Sequence, residues 1–575
     1  MRREEYIEIS KEQYDDMYAF YQKLGFTEKQ CKKLCSSCFG AEIRVKHSAA
    51  YREDWTFWRQ EVRPPVPEGF FGKLKGKPFM GGMASVSCAE VEDGVCFERA
   101  MAMPDMAAPL PAAMTEFNTA ETHTAPEIEN ATPLDRPQLI FSANVNTASW
   151  SYVRSKISTG RRIDGGFVRI EEIINSYPYK LKKPENEELF SVSIEQAKCP
   201  WNQESELLFV GLKGKKADKK VKQNLAFLVD VSGSMCERWV LVQMSLMAVI
   251  SKLGKGDIMS IIAYSDETVT VAEKMECSNM DKCIKAVMSI DGIGGCTNGS
   301  EGLENAYTFL SENYDKDANN RLFIFTDGDF NFGITSEGGL SEYILKKRET
   351  GIYLSVVGYG MENFKDNKME ALARNGNGNY TLIANPGDIL DNLWKKLISN
   401  LVTVAKDVKI SVELNPYYVK EYRLVGYDAR VLTQKEFNDT EKAVDGIGSG
   451  HNVVALVELK KGTAVKTYST RYVQSESAGN KDEFAFIEIH YKTPEDVNSV
   501  MTHTVSINDL KKAKDKNIHT AAFLAAFGLY IKDSQYKGDI DIPKLKEMLN
   551  EFDNDEIKDK YGHFEIIRKY VTENQ

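Results

Sequence analysis

The residues with the clearest chemical potential follow an apolar run near the middle of the chain. Residues 224–235 read NLAFLVDVSGSM, so that Asp230, Ser232 and Ser234 come where the apolar run ends. An unbroken apolar run of this length predicts a strand buried on both faces, as in a parallel sheet. Ligands of open α/β sheets bind at the carboxyl ends of strands, and hard oxygen donors suit Mg²⁺ or Mn²⁺. A tight polar turn without a metal is the plainer interpretation of this segment taken alone.

Two further segments add donors of the same kind. Residues 321–328, RLFIFTDG, are a second apolar run that ends in an acid, Asp327. Residues 292–299, GIGGCTNG, form a glycine-rich loop that presents Thr297. Three loops therefore offer carboxylate and hydroxyl oxygens to one candidate metal site. The predicted metal-binding residues are Asp230, Ser232, Ser234, Thr297 and Asp327.

This set of residues and its order resemble the metal-ion-dependent adhesion site of von Willebrand factor type A domains, and all five positions match. The resemblance implies that the two serines and Thr297 bind the metal directly or nearly so, while the two aspartates act largely through water. It implies Mg²⁺ or Mn²⁺ as the cofactor and an Asp or Glu of a partner protein as the sixth ligand. The function implied is metal-dependent protein binding, as in an adhesion or scaffold module.

Segments on both sides of this region resemble the YfbK-like group of bacterial von Willebrand factor type A proteins. The resemblance spans about residues 138 to 572, and it implies a conserved segment before the A domain and a characteristic domain after it. The segments that carry it include FSANVNTASWSYVR, VRIEEIINSYPY, CPWNQESELLFVGLKG and YRLVGYDAR.

Periodicity predicts the architecture around the site. Strand and helix patterns alternate over 224–400, which indicates an α/β domain with a doubly wound, Rossmann-like parallel sheet. Residues 401–512 alternate apolar and polar positions, as the short strands of a β-sandwich do. We expect strands from both sides of the α/β domain to form one β-sandwich. The α/β domain is then inserted in this sandwich or flanked by it. The predicted division is a small helical N-terminal region (1–70), a flexible linker (71–137), a family-specific N-terminal segment that forms part of the sandwich (138–223), the von Willebrand factor type A domain (224–400), the other part of the sandwich (401–512) and a helical C-terminal region (513–575).

Length and composition narrow the functional classes. A chain of 575 residues is too long for one hydrophobic core, and its 42% apolar and 27% charged residues are ordinary for a globular protein. The net charge of −11 argues against nucleic acid as the main partner, because phosphate binding needs a basic face. We see no signal peptide, no membrane span and no disulfide pattern, so we expect a cytoplasmic protein with reduced thiols. The sequence indicates no oligomeric state.

Two other functions remain open. Asp230 could be a phosphoryl-accepting nucleophile beside Mg²⁺ in a metal-dependent phosphohydrolase, although a dehalogenase-like phosphatase needs a second acid where this chain has Ser232. No histidine lies between residues 224 and 400, which removes the commonest general base. The other alternative is a metal-independent scaffold in which the sandwich does the binding. We predict the non-enzymatic, metal-dependent binding module.

A cysteine triplet near the N-terminus is a second candidate metal site. Residues 31–38 read CKKLCSSC, and Cys31, Cys35 and Cys38 could hold an iron–sulfur cluster, or zinc with His47 as a fourth ligand. Free cysteines on a small helical unit are the interpretation we favour, because a free cysteine often behaves as a small apolar residue.

Overall fold

The structure is a computed structural model in which part of the chain is described. Of the residues singled out above, Thr297, Cys38 and His47 lie outside the described part. The described ranges are 6–37, 42–46, 125–217, 221–265, 267–290, 299–328, 337–360, 366–397, 402–464, 481–512, 517–554 and 562–574.

The N-terminal unit is a parallel strand pair with a helical hairpin, so the region predicted as helical also contains two strands. The buried side chains of the hairpin, Cys31 and Cys35 among them, belong to the same apolar cluster as one face of the α/β domain. At this contact Gln30 Nε2 donates to Asp281 Oδ1 at 3.0 Å. Both Cys31 and Cys35 are fully buried in this cluster. The elements are β1 (Tyr6–Ser10), α1 (Lys11–Lys23), α2 (Glu28–Ser37) and β2 (Glu42–Lys46).

Residues 125–217 supply the first strands of the sandwich. The described end of the predicted linker, 125–137, is packed against that sandwich, which corrects the predicted linker boundary. Ala131 forms an antiparallel bridge with Tyr422, and the Ile128 amide donates to Asp428 Oδ1 at 3.2 Å. An extended segment can pair with a sheet without any periodicity in its own sequence. The elements are β3 (Gln138–Ser142), α3 (Ala148–Ser158), α4 (Ile170–Ser176), β4 (Phe190–Lys198) and β5 (Glu206–Gly214).

The α/β domain contains the predicted doubly wound sheet. Its elements are β6 (Lys222–Asp230), α5 (Trp239–Ile250), β7 (Ile258–Tyr264), β8 (Thr268–Glu276), α6 (Met280–Met288), α7 (Gly299–Glu312), β9 (Ala318–Thr326), α8 (Glu337–Glu349), β10 (Ile352–Tyr359), α9 (Asp366–Asn375), β11 (Tyr380–Ile383) and α10 (Pro386–Asp388), which continues as a π-helix (Ile389–Leu397). The strand order is β11-β10-β9-β6-β7-β8, with β8 antiparallel and the rest parallel. Alternate residues of β6 belong to the two apolar clusters on opposite faces of the sheet, so this central strand is buried on both sides, as its apolar run predicts.

Residues 402–574 complete the sandwich and end in helices. The elements are β12 (Thr403–Leu414), β13 (Val419–Val425), α11 (Gln434–Asn438), β14 (Ile447–Gly448), β15 (Asn452–Lys461), β16 (Glu483–Lys492), β17 (Asn498–Ser506), α12 (Ile507–Lys512), α13 (Asn517–Lys532), α14 (Ile542–Asn554) and α15 (His563–Glu573). The apolar helix α13 packs on α4, β4 and β5. Within the described ranges, no helix combines the length and the apolar composition that a bilayer crossing requires.

Both sheets of the sandwich combine strands from either side of the α/β domain. In one sheet β12 pairs with β3, β14 and β16, and β17 follows; the other sheet has the order β13-β15-β5-β4. The chain leaves the sandwich at Gly214 and returns at Thr403. Gly214 packs against Ile447 and Gly448, and Thr403 pairs with Gly448. The exit and return points are therefore neighbours, which makes the α/β domain an insertion in the sandwich.

Buried ion pairs join the inserted domain to its surroundings. Arg430, in the loop after β13, contacts Glu370 of α9 and lies 2.9 Å from Asp445 Oδ2. Arg154 of α3 pairs with Asp388 of α10. One apolar cluster also contains residues of α3, α4 and α13 together with residues of one face of the α/β sheet. The attachment therefore includes buried ion pairs and apolar packing in addition to the two connecting segments.

Replacing Arg430 by Met should strongly destabilise the protein, because it leaves the Glu370 and Asp445 carboxylates buried without this cation. We expect the free energy of unfolding to fall by about 3–5 kcal/mol, measured by urea denaturation. Lys346→Gln, which breaks the exposed pair with Glu342, is the matched control and should leave unfolding unchanged. Equal effects of the two substitutions would contradict this account of the interface.

Shared sheets also predict how fragments behave. Residues 402–574 expressed alone should not fold, because β12 then lacks β3 and β15 lacks β5. Residues 125–574 contain every strand of the sandwich and should fold. Amide proton chemical-shift dispersion distinguishes the two states, and a well-dispersed spectrum from 402–574 would contradict the shared sandwich.

Candidate metal site

Asp230 is the buried centre of the candidate site. It ends β6, its side chain is fully enclosed, and its Oδ1 accepts the Ser232 amide at 2.9 Å. Its Oδ2 accepts the hydroxyls of Thr326 at 3.1 Å and Tyr264 at 3.3 Å. These two donors end β9 and β7, the strands on either side of β6. The parallel register of three strands therefore assembles the surroundings of Asp230.

The enclosure of Asp230 has an electrostatic consequence. The pKa of its carboxyl is raised to about 6: burial and, to a smaller extent, the nearby negative charge of Asp327 raise it, while hydrogen bonds from Ser232 and Thr326 lower it. A carboxylate in such a place gains stability from any cation that reaches it.

Ser232 and Ser234 bring two hydroxyls to the same point. The chain turns through a single 3₁₀ segment (Gly233–Arg238) before α5, which places the Ser232 and Ser234 Oγ atoms 3.1 Å apart. Ser232 is buried and Ser234 is exposed. The two hydroxyls therefore lead from the enclosed Asp230 carboxylate, beside Ser232, to the protein surface at Ser234.

Asp327 lies in the adjacent loop, which Arg238 connects to the serine loop. Asp327 Oδ2 accepts Arg238 Nη1 at 3.1 Å, and the same nitrogen donates to the Ser234 carbonyl at 2.7 Å. Gly328 adopts a φ of +100°, and its amide donates to Thr326 Oγ1 at 3.1 Å, which fixes the turn after Asp327. One guanidinium thus holds the two donor loops together.

Four of the five residues predicted from the sequence lie together at the carboxyl ends of β6 and β9, and Thr297 lies outside the described residues. Sequence reasoning missed Thr326, Tyr264 and Arg238. Thr326 had a signal, because it stands between the apolar run and Asp327. Tyr264 and Arg238 had none, since their contacts depend on strand order and on a fold of the loop.

The donor set is composed of oxygen. It comprises the carboxylates of Asp230 and Asp327 and the hydroxyls of Ser232 and Ser234, which fit a hard cation such as Mg²⁺ and not zinc. In the described part of the chain, no group of three or more His, Cys, Asp or Glu side chains is arranged to hold a metal. Any ion at this site must therefore depend on hydroxyl donors as much as on charge.

Comparisons with known proteins identify the type of domain that carries the candidate site. A family model described as von Willebrand factor type A domain matches residues 224–393, one described as von Willebrand factor matches 116–209, and one for the C-terminal region of YfbK matches 399–572. The uncharacterized protein YfbK of Escherichia coli (strain K12) is 32% identical over 426 residues, which cover 72% of this chain and 74% of that protein.

Solved structures with similarity to the chain include two proteins of the same domain type. The von Willebrand factor type A from Catenulispora acidiphila is 14% identical with a TM-score of 0.38, covering 64% of this chain and 87% of that one. The ArnB paralog VWA2 from Sulfolobus acidocaldarius is 12% identical with a TM-score of 0.32, covering 67% and 98%.

The assignment rests on the sequence relative and on the domain model. Type A domains are usually protein-interaction modules rather than enzymes, and their interactions are often metal-dependent. The α/β sheet that carries the candidate site is the part of the chain that this model matches. The protein belongs to the YfbK family of von Willebrand factor type A domain proteins.

Proposed function

We propose that this protein is a metal-dependent protein-binding module, which holds Mg²⁺ or Mn²⁺ and captures an acidic side chain of a partner protein. The proposed metal-binding residues are Asp230, Ser232, Ser234, Thr297 and Asp327. The observation that carries the proposal is the pair of facing hydroxyls, 3.1 Å apart, directly outside a fully buried aspartate.

The residues divide the work of binding between them. Both carboxylate oxygens of Asp230 already accept hydrogen bonds from the protein, so this residue acts mainly by charge and by fixing Ser232. Ser232 and Ser234 are neutral donors that leave a bound cation most of its positive charge. Such a cation supplies an electrophilic centre that favours an anionic ligand, and a partner's Asp or Glu carboxylate has the required charge and hardness.

The same chemistry favours binding over turnover. The position two residues after Asp230 holds Ser232, whose hydroxyl faces Ser234 rather than serving as an acid. A phosphohydrolase would need a group there to protonate the leaving oxygen. The Asp230 side chain is also enclosed, which hinders in-line attack on a substrate.

Metal binding should depend on the two hydroxyls. Titration calorimetry of the full chain with Mn²⁺ should show one site, and Ser232→Ala with Ser234→Ala should weaken its affinity by at least about tenfold, since each lost ligand is worth about 1 kcal/mol or more. The matched control is Ser289→Ala with Ser311→Ala, two exposed serines directly after α6 and on α7 whose hydroxyls donate to helix carbonyls.

Four outcomes would contradict the proposal. One is a wild type that binds neither Mn²⁺ nor Mg²⁺, and another is the double variant binding as tightly as its control. The third is Mg²⁺-dependent phosphatase turnover that Asp230→Asn abolishes, which would favour the enzyme. Partner capture that persists in EDTA would instead favour the metal-independent scaffold.

Asp230 should make the metal-free protein less stable as the pH rises. Its folded pKa of about 6 lies above the ordinary value of 3.8, so the folded state binds this proton more tightly than the unfolded state does. The contribution of this proton to the free energy of unfolding is fully present below about pH 4. It is lost as the pH rises through about 6, which lowers the free energy of unfolding by about 3 kcal/mol.

Asp230→Asn removes that cost, so in EDTA at pH 7.5 it should melt at a higher temperature than the wild type, with the difference shrinking toward pH 4. Excess Mg²⁺ should stabilise the wild type and not the variant. Asp317→Asn, at an exposed carboxylate, should change neither profile. A metal-free Asp230→Asn protein that melts below the wild type at pH 7.5 would contradict this account.

A further inference from the structure

We propose that Arg238 determines ligand preference at this site: its guanidinium helps to bind an anionic partner side chain and, by the same charge, weakens binding of the metal. The inference rests on the proposed function and assigns a role to a residue outside the predicted donor set.

Arg238 is held at the rim of the site by both donor loops. Its Nη1 donates to the Ser234 carbonyl at 2.7 Å and to Asp327 Oδ2 at 3.1 Å. The side chain is 21% exposed, whereas that of Asp327 is 3% exposed. The guanidinium therefore lies between the enclosed Asp327 carboxylate and the protein surface.

Some N–H donors of this guanidinium are not used in its two hydrogen bonds to described residues. Both of its hydrogen bonds to described residues use Nη1, and a guanidinium carries five N–H donors in a planar fork. The Nε and Nη2 groups can therefore donate to an incoming oxygen. A carboxylate matches that fork, whereas a neutral amide offers one acceptor and no charge.

A glycine in a third loop makes room for this arrangement. Gly360 follows β10 with a φ of +84°, and a Cβ added there would lie 2.3 Å from Arg238 Nε and 2.5 Å from Nη2. Any side chain at this position would displace the guanidinium. Three loops, after β6, β9 and β10, thus define where the arginine lies.

Charge balance gives the direction of each effect. The two aspartates and a divalent cation sum to zero, because the serine and threonine ligands are neutral. Arg238 adds one positive charge, so the loaded site attracts an anion more strongly than the metal and its ligands alone. The same charge repels the cation, and the interaction is only partly screened because the side chain is largely buried.

The experiment measures the two affinities separately on the full chain. Electron paramagnetic resonance of Mn²⁺ gives the metal affinity. Manganese-induced line broadening then gives the affinity of the loaded protein for the peptide acetyl-Gly-Glu-Gly-amide, with the Gln peptide as the uncharged comparison.

Arg238→Gln should bind Mn²⁺ about three- to tenfold more tightly and the Glu peptide about tenfold more weakly. Both affinities of Arg238→Lys should lie between those of Arg238→Gln and those of the wild type. Lys282→Gln on α6 removes an equal charge at an exposed position and should change neither affinity.

A second variant keeps the arginine and moves it. Gly360→Ala should weaken Glu-peptide binding in the wild-type background and have no further effect in Arg238→Gln. If Arg238→Gln weakens both affinities, or changes neither, Arg238 has a structural role only and the inference is wrong while the proposed function stands. If the wild type binds no Mn²⁺, both fail together.

Discussion

Burial of β6 on both faces is the constraint on which the rest of the structure depends. A strand with no exposed face must have neighbours in the sheet on both edges and apolar layers above and below, and β6 has β7 and β9 beside it and a different apolar cluster on each side. Its last residue, Asp230, consequently emerges among the ends of two other parallel strands. The site exists because that geometry gathers Thr326, Tyr264 and Asp327 around it.

Insertion in the sandwich gives this α/β domain a fixed attachment. The chain leaves and re-enters the sandwich beside Gly448, and these two connections alone would permit a hinge. Buried ion pairs and a shared apolar cluster also join the α/β domain to α3, α4 and the loop after β13. Buried charges of this kind are costly when separated, because each would lose its counter-ion in a region with little water. The arrangement therefore favours one orientation of the site relative to the sandwich.

The buried charge at the candidate metal site lowers stability, as the proposed binding function would require. A fully enclosed Asp230 with a raised pKa is a poor choice for stability alone, since an apolar or amide side chain would avoid the cost of the buried charge. Arg238 partly compensates the charge of Asp327 and leaves Asp230 to its hydroxyl and amide donors. Local cost of this sort is typical of positions kept for binding rather than for folding.

The sequence alone determined the fold class, the alternation of strands and helices over 224–400, and four residues that the structure brings together, because burial on both faces and polar strand ends are properties of local sequence. It did not determine the packing of residues 125–137 on the sandwich or the docking of the N-terminal hairpin, since each depends on a surface supplied by a distant part of the chain. The place of Arg238 between Ser234, Asp327 and Gly360 was likewise decided by tertiary structure. Three loops far apart in sequence must converge before a single guanidinium can contact them all, and only the strand order of the folded sheet brings them together.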